Sequence, residues 1–248
     1  MIIVGDIGNT ETKILLINKN NKILKKIHLD TSMINSNTIK KSISTFNIKN
    51  NPIEKILFCS VVPKTFKIIK LILEKKYMLK CYELTNLNLS RLIKIKVNYK
   101  QIGSDRLANA ISIINNKDNF IVLDFGTATT FDVVIKNTYY GGVIAPGVKL
   151  SLETLTKKAT LIPNINLKKI TKVIGSNTIN AVRSGFFWGY TGLIDNIINL
   201  IKKETNKSFK IILTGGFSNL FKDSINRKIL QNREITINGL IKASKLIR

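Results

Sequence analysis

Two stretches of the sequence decide the fold: residues 4–17 read VGDIGNTETKILLI and residues 122–135 read VLDFGTATTFDVVI. Each consists of a short apolar strand, an Asp-x-Gly turn rich in polar side chains, and a second apolar strand. This pattern predicts a β-hairpin with a polar, glycine-containing turn. Two such hairpins indicate two related halves, residues 1–115 and 118–248. The repeat is short, so chance similarity of two hairpins is the alternative.

The segments around the hairpins alternate between strand and helix patterns. We predict strands over residues 55–62 and 210–214, and helices over 64–76, 104–114, 180–203 and from 218 onward. Ser104 is the expected N-cap of its helix, and the helix over 180–203 is expected to break near 189–192. The alternation predicts an α/β fold with mixed sheets, because the hairpins are antiparallel. Without a low-complexity linker, the halves are expected to pack around a shared cleft.

The strongly basic composition suggests nucleic acid or an anionic membrane as a partner, but its details argue against both. The chain has 40 Lys and Arg against 15 Asp and Glu, and only six of the 40 are arginine. A surface evolved for nucleic acid is expected to use more arginine, whose planar fork suits phosphates and base edges. No zinc-finger spacing, RNP-like aromatic motif or basic heptad region is present. A solvated lysine-rich surface is the favoured interpretation.

The cysteines and the apolar segments bear on the compartment. Cys59 and Cys81 form neither a disulfide framework nor a CxxC site, so we expect plain thiols in a reducing compartment. The N-terminus lacks the pattern of a signal peptide, and no apolar run approaches the ~18 residues that span a bilayer. These features predict a soluble cytoplasmic protein without a membrane partner.

The turns of the two hairpins are the candidate sites for chemistry. No Walker loop, GxGxxG motif or protein-kinase motif set is present, so nucleotide chemistry needs another phosphate cradle. The first turn begins at Asp6, which could hold the Mg²⁺ that accompanies ATP. The second begins at Asp124 and contains three threonines, whose hydroxyls need partners if buried. Polar hairpin turns without a ligand are the structural alternative.

Several motifs together resemble the type III pantothenate kinases, a branch of the actin, Hsp70 and sugar-kinase superfamily. In chain order they are DIGNTETK at 6–13, GSDR at 103–106, DFGTATT at 124–130, GGVIAPG at 141–147, NTINAVRSG at 177–185 and TGG at 214–216. The two Asp-Gly turns alone fit much of the superfamily. The combination of GxDR, GTATT and GGxIxPG is the family-specific part.

The resemblance implies two actin-like (ribonuclease H-like) halves and ATP-dependent phosphorylation of pantothenate, the first step towards coenzyme A. It implies a homodimer, in which the partner chain partly encloses the substrate, and a required monovalent cation, K⁺ or NH₄⁺, at Asp124. It implies Asp105 as the catalytic base. The implied ATP-binding residues are Asp6, Ile7, Gly8, Asn9, Thr10, Glu11, Thr12, Lys13 and Thr127. The implied pantothenate contacts are Gly103, Ser104, Asp105, Arg106 and Thr178.

The chemistry of these residues suits phosphoryl transfer, although each has a structural alternative. Asp105 can accept the hydroxyl proton, or it can cap a helix or pair with Arg106. Arg106 can grip the pantothenate carboxylate through its two-pronged fork, or form a structural salt bridge. Thr178 can contact substrate, or it can belong to the cap of the following helix. Another small-molecule kinase, such as a sugar kinase, and a non-catalytic regulator are the rival functions.

The sequence departs from the family before GSDR. The family pattern Tyr-x-x-Pro-x-x-x-Gly is replaced by residues 96–103, KVNYKQIG, which lack the proline. Tyr99 stands nearer to the glycine than the family tyrosine and is the candidate for its substrate contact through a shorter loop. His28, the single histidine, is expected to lie on an apolar strand in a structural role, and the aromatic residues 186–188 are expected to pack in the core or at a dimer interface.

Overall fold

The computed structural model describes residues 1–46, 52–225 and 227–247. Its strands are β1 (Ile2–Ile7), β2 (Glu11–Ile17), β3 (Ile23–Asp30), β4 (Lys55–Ser60), β5 (Cys81–Glu83), β6 (Lys94–Ile95), β7 (Asn119–Phe125), β8 (Ala128–Ile135), β9 (Thr138–Pro146), β10 (Lys210–Gly215) and β11 (Ile229–Gln231). Its α-helices are α1 (Ser36–Ser44), α2 (Pro63–Tyr77), α3 (Ser104–Ile113), α4 (Val148–Lys158), α5 (Thr178–Thr205), α6 (Ser218–Phe221) and α7 (Ile235–Ala243).

The first compact unit comprises Met1–Ile114, Asn137–Tyr139 and Glu234–Arg248. Its sheet has the order β3-β2-β1-β4-β5, in which β1, β4 and β5 run parallel while β2 is antiparallel to both of its neighbours. The apolar side chains of β1, β2 and β4 form one buried cluster with those of α1 and α2. Strand β4 also contacts α3 and α7, and β1 contacts α7. The sheet is therefore held by helices, and its parallel strands end where Asp6 lies.

The C-terminal helix α7 belongs to the first unit, whereas the sequence places residues 234–248 in the second half. Helix α7 packs against α3, and Gly239 of α7 lies next to the Ala108 backbone of α3. A Cβ atom on Gly239 would lie 1.8 Å from the Ala108 carbonyl oxygen, so only glycine allows this approach. The helix that begins with the GSDR motif is thus held in place by α7.

The second compact unit comprises Asn115–Lys136 and Tyr140–Arg233. Its strands follow the order β11-β10-β7-β8-β9, with β7 antiparallel to β8 and parallel to β10, which is parallel to β11. This order repeats that of the first sheet strand for strand, which confirms the predicted α/β fold built on two related hairpins. Strand β6 pairs with Thr138 and Tyr139, the first residues of β9, which belong to the first unit.

Two local predictions are wrong. Helix α5 runs unbroken from Thr178 to Thr205, whereas a break was expected near residues 189–192. The buried apolar face of α5 packs into the core of the second unit and holds the helix together through its glycines. The N-cap of α3 is Gly103, and Ser104 is the first helical residue. Among the described residues, no helix combines the length and the apolar character that crossing a bilayer requires.

Candidate active site

The half-buried Asp6 and the buried Cys59 are in contact near the end of the parallel strands of the first unit. They are paired in register on β1 and β4, and the Cys59 thiol donates to Asp6 Oδ1 over 3.4 Å. Cys59 is fully buried, and burial raises the pKa of its thiol well above the ordinary value. Burial thus favours the protonated thiol, which is the form that donates the hydrogen bond to Asp6.

The environment of Asp6 opposes its ionisation. Burial, and then the negative charge of Asp105, raise the pKa of the Asp6 carboxyl to about 6. The Cys59 hydrogen bond and the charge of Lys13 lower that pKa, but by less. Two carboxylates within electrostatic reach of one another favour a bound cation, whose charge would offset both.

Asp105 lies in the first turn of α3, where Gly103 makes room for it. Its Oδ1 accepts a hydrogen bond from the Arg106 backbone N–H over 2.8 Å. A Cβ atom on Gly103 would lie 2.5 Å from that oxygen, so a larger residue would displace the carboxylate. Burial raises the pKa of Asp105, although the Arg106 N–H bond and the Arg106 charge oppose the rise. A carboxylate with a raised pKa is a better proton acceptor near neutral pH.

Ser104 joins the start of α3 to the end of β4. Its hydroxyl accepts from the Ser60 N–H over 2.7 Å and donates to the Ser60 carbonyl over 3.0 Å. The residue is 4% exposed. Since Ser60 directly follows Cys59, these two bonds set the distance between the strand that carries Cys59 and the helix that carries Asp105.

Residues 8–12, which comprise the turn between β1 and β2 and the first two residues of β2, are called the phosphate turn below. It is closed by a hydrogen bond from the Gly8 N–H to the Glu11 carbonyl over 2.9 Å. Asn9, Thr10 and Glu11 are exposed, whereas Ile7 and Thr12 are fully buried. The Thr12 hydroxyl lies 2.9 Å from the Thr31 hydroxyl. Side chains at the exposed positions and backbone N–H groups are therefore the groups that the turn offers to a ligand.

Two further predicted residues have polar partners in the first unit. The Tyr99 hydroxyl donates to the Thr85 carbonyl over 2.7 Å, and burial, followed by the Glu83 charge, raises the pKa of Tyr99. His28 lies on the largely exposed strand β3, not on an apolar strand, with its Nε2 3.0 Å from Glu11 Oε2. The single histidine thus contacts the phosphate turn.

In the second unit, Asp124 occupies the position that Asp6 has in the first. It is paired in register with Thr130 on β8 and Thr214 on β10. A Cβ atom on Gly147 would lie 2.1 Å from the Thr127 carbonyl oxygen, and one on Gly215, whose φ is +83°, would lie 2.6 Å from the Phe125 backbone. These glycines let the ends of β9 and β10 approach the turn that contains Thr127.

Thr178 is the first residue of α5, and the preceding residue provides the cap. The Asn177 side chain accepts a hydrogen bond from the Asn180 N–H over 2.9 Å. Thr178 is exposed at the helix start. The capping alternative thus belongs to Asn177, and substrate contact by Thr178 stays a prediction.

The structure brings Asp6, Lys13 and Asp105 together in the first unit, and Asp124 and Thr127 at one turn of the second. Sequence reasoning missed Cys59, Ser60 and Thr31 as supporting residues. Among the described residues, no three His, Cys, Asp or Glu side chains are grouped to hold a metal ion. A divalent ion at Asp6 would thus complete its coordination with phosphate and water oxygens, as Mg²⁺ commonly does.

Comparison with known proteins places this geometry in a family. The family model for type III pantothenate kinase matches residues 2–200. The type III pantothenate kinase of Pelagibacter ubique (strain HTCC1062) is 70% identical over 248 residues, which cover both chains completely. That of Sulfurihydrogenibium sp. (strain YO3AOP1) is 35% identical, over 97% of this chain and 98% of its own.

A solved structure supports the fold separately. A ROK family glucokinase from Streptomyces griseus, in complex with glucose and AMPPNP, superposes with a TM-score of 0.56 at 13% identity, over 99% of this chain and 98% of its own. At that identity the likeness shows only a shared fold, which is that of the actin-like sugar kinases. From the family match, which covers most of the chain, and the two full-length relatives, we conclude that this chain belongs to the type III pantothenate kinase family.

Proposed function

We propose that this kinase transfers the γ-phosphoryl group of ATP to the hydroxyl oxygen of pantothenate, which gives 4′-phosphopantothenate and ADP in the first step towards coenzyme A. The observation that carries the proposal is the pair of half-buried carboxylates, Asp6 and Asp105, beside a glycine turn with exposed polar residues. Phosphoryl transfer needs such a proton acceptor, charge neutralisation and an aligned hydroxyl.

Asp105 is the proposed general base. As the pantothenate oxygen bonds to the γ-phosphorus, the hydroxyl proton passes to an Asp105 oxygen and the bond to the β-phosphate oxygen breaks. The raised pKa of Asp105 supports this role, because the carboxyl holds the proton more readily than an exposed aspartate. Gly103 and Ser104 support it by fixing where the carboxylate lies.

The ATP phosphates are proposed to bind at the phosphate turn, Asp6 and Lys13, and Thr127 is proposed as a further ATP-binding residue. Backbone N–H groups at a glycine turn can approach phosphate oxygens closely. Asp6 would hold Mg²⁺, which supplies positive charge to the phosphates in such reactions. Ile7 and Thr12 are buried, so we assign their contribution to the backbone.

Pantothenate is proposed to contact Gly103, Arg106, Tyr99 and Thr178. The Arg106 guanidinium suits the pantothenate carboxylate, since its fork matches two oxygens. The hydroxyl of Ser104, by contrast, is bonded twice to Ser60, so a contact from Ser104 would come from its backbone. The Tyr99 hydroxyl already donates to Thr85, and its free lone pair leaves it an acceptor for a substrate N–H or O–H.

A monovalent cation, K⁺ or NH₄⁺, is proposed at Asp124, because a carboxylate and the hydroxyl of Thr130 opposite it suit a hard cation. Asp124→Asn should therefore abolish the activation by K⁺ that the unchanged protein shows. The measurement is initial rate against K⁺ concentration at constant ionic strength. Asp223→Asn in the same unit is the control and should keep the activation. Unchanged K⁺ dependence in the Asp124 variant would move the cation site elsewhere.

The proposed assembly is a homodimer, formed through the second unit. Large apolar side chains are exposed along residues 143–179 of that unit: Val143, Ile144, Leu150, Leu155, Leu161, Val173, Ile174 and Ile179. Exposed apolar residues in such numbers are typical of protein interfaces. Light scattering should give twice the 27.9 kDa mass of the chain.

The proposed location is the cytoplasm. Both cysteines are free, buried thiols, which supports this location because a reducing compartment keeps thiols unpaired.

The first test is ADP release with ATP, Mg²⁺ and K⁺, in the presence and absence of pantothenate. We expect pantothenate-dependent turnover and a product whose mass is that of phosphopantothenate. Glucose in place of pantothenate should give no stimulation. Turnover with glucose but not with pantothenate would favour the sugar-kinase alternative, and nucleotide binding without turnover on either would favour a regulator.

A further inference from the structure

Thr31, the residue after β3, contacts the phosphate turn at three points. Its backbone N–H donates to the Thr10 carbonyl over 2.9 Å, and its hydroxyl donates to the Gly8 carbonyl over 2.8 Å. The same hydroxyl lies 2.9 Å from that of Thr12. These three bonds connect Thr31 to three of the five residues of the turn.

The direction of the Thr12–Thr31 hydrogen bond follows from the number of protons that the two hydroxyls carry. A threonine hydroxyl has one proton, and the Thr31 proton is used by the bond to the Gly8 carbonyl. In the Thr12–Thr31 contact the Thr12 hydroxyl is therefore the donor and Thr31 is the acceptor. The chain of bonds runs from Thr12 to Thr31 to Gly8, so it joins the two ends of the phosphate turn through a residue outside it.

The bonds are enclosed by protein. Thr12 is fully buried and Thr31 is 6% exposed, so water cannot readily replace a lost partner. Between the two anchored ends, Asn9 and Thr10 remain exposed on the turn. The threonine pair therefore fixes the backbone while leaving the exposed side of the turn free for a ligand.

We infer that Thr31 is a positioning residue for nucleotide binding: it holds the phosphate turn in the shape that receives the ATP phosphates without contacting them. The inference rests on the proposed ATP site. A backbone that is fixed before binding loses less conformational entropy when the phosphates arrive, and so binds them more tightly. The pantothenate residues at the start of α3 lie outside this bond chain and should be unaffected.

Thr31→Val tests the inference, because valine keeps the shape and removes the hydroxyl. We expect the Kd for Mg²⁺ with AMPPNP, measured by calorimetry without turnover, to rise about tenfold. The KM for ATP should rise in parallel, while the KM for pantothenate stays unchanged. Thr31→Ser, which retains the hydroxyl, should restore most of the affinity.

Thr191→Val is the matched control, since Thr191 is a buried threonine of α5 whose hydroxyl donates to the Phe187 carbonyl over 2.8 Å. It should lower thermal stability but leave nucleotide affinity unchanged. If Thr31→Val fails to fold, Thr12→Val removes only the Thr12–Thr31 bond and keeps the bond from Thr31 to the Gly8 carbonyl, so it should raise the Kd for AMPPNP by less than tenfold. Where both fold, the double variant should bind no more weakly than Thr31→Val alone, because the only hydroxyl bond that Thr12 makes to Thr31 is already lost in Thr31→Val.

The possible outcomes distinguish a failure of the proposed ATP site from a failure of the positioning role of Thr31. If the unchanged protein does not bind AMPPNP at all, the proposed ATP site is wrong. If it binds AMPPNP and Thr31→Val binds equally well, the ATP site stands and the positioning role is overturned. An equal loss in Thr31→Val and Thr191→Val would also overturn the role, since it would mark a general loss of stability.

Discussion

Asp105→Asn should lower kcat for pantothenate phosphorylation by about 10²–10⁴-fold, the usual contribution of a general base. Asparagine has the same shape and can still accept the Arg106 N–H bond, but it cannot take up the substrate proton. The fold should persist, because the raised pKa of Asp105 means that its charge is unfavourable where it lies. The measurement combines steady-state kinetics with thermal denaturation.

The control for this variant is Asp118→Asn, a carboxylate in the second unit that is paired with Lys210 over 2.8 Å. It should retain its kcat. AMPPNP affinity should also be retained in Asp105→Asn, which would show that the nucleotide site is intact. A kcat within about tenfold of the unchanged protein would sink the assignment of Asp105 as base, because so small a loss is below the usual range.

The hairpins and the helices α2, α3 and α5 were predictable because they depend on local patterns, whereas α1, α4 and α7 were not predicted. The Asp-x-Gly turns, the alternating apolar residues and Pro63 at the first position of α2 are each visible within a few residues. The repeated motif led to the correct view of two related sheets. Membership in the family also followed from short motifs, most of which lie at a turn or a helix start, while GGVIAPG covers the second half of β9 and the residue before α4.

The supporting residues of the site were not predictable, because they depend on strand register. Cys59 was interpreted as a plain thiol; its contact with Asp6 arises only because β1 and β4 pair in parallel with these two residues opposite. Thr31 contacts Thr12 across 19 residues of chain, at the end of the β2–β3 pairing. No local pattern in a single sequence encodes either register.

Helix α5 shows how packing overrides local propensity. Gly185, Gly189 and Gly192 lie within it, and a glycine in a helix costs about 1 kcal/mol relative to alanine. The sequence thus suggested a break. Burial of Phe187, Ile194, Ile198 and Ile201 on one face outweighs this cost, since a fully buried side chain contributes about 1.5–3 kcal/mol.

Asp6→Asn should abolish turnover and, in the absence of Mg²⁺ and nucleotide, stabilise the fold at pH 8. The pKa of Asp6 is raised from 3.8 to about 6, and each pKa unit corresponds to about 1.4 kcal/mol. Ionised Asp6 therefore lowers the free energy of unfolding by up to about 3 kcal/mol, a cost that asparagine avoids. Stabilisation with loss of function is expected where a site holds charge for its ligand.

The pH dependence makes this prediction specific. A carboxyl whose pKa is raised in the folded state contributes stability below its unfolded pKa, and this contribution is lost as the pH rises through about 6. Urea denaturation should therefore give a larger free energy of unfolding for Asp6→Asn than for the unchanged protein at pH 8. This difference should shrink to nothing as the pH falls toward 4. Asp118→Asn should instead lower the free energy of unfolding at pH 8, because the Lys210 hydrogen bond lowers the pKa of Asp118 and so favours its charged form in the folded protein. If the difference in free energy of unfolding stayed constant across this range, the effect of Asp6→Asn would come from packing, and the Asp6 charge would not destabilise the fold. The cation-binding role proposed for Asp6 would then lose its electrostatic basis.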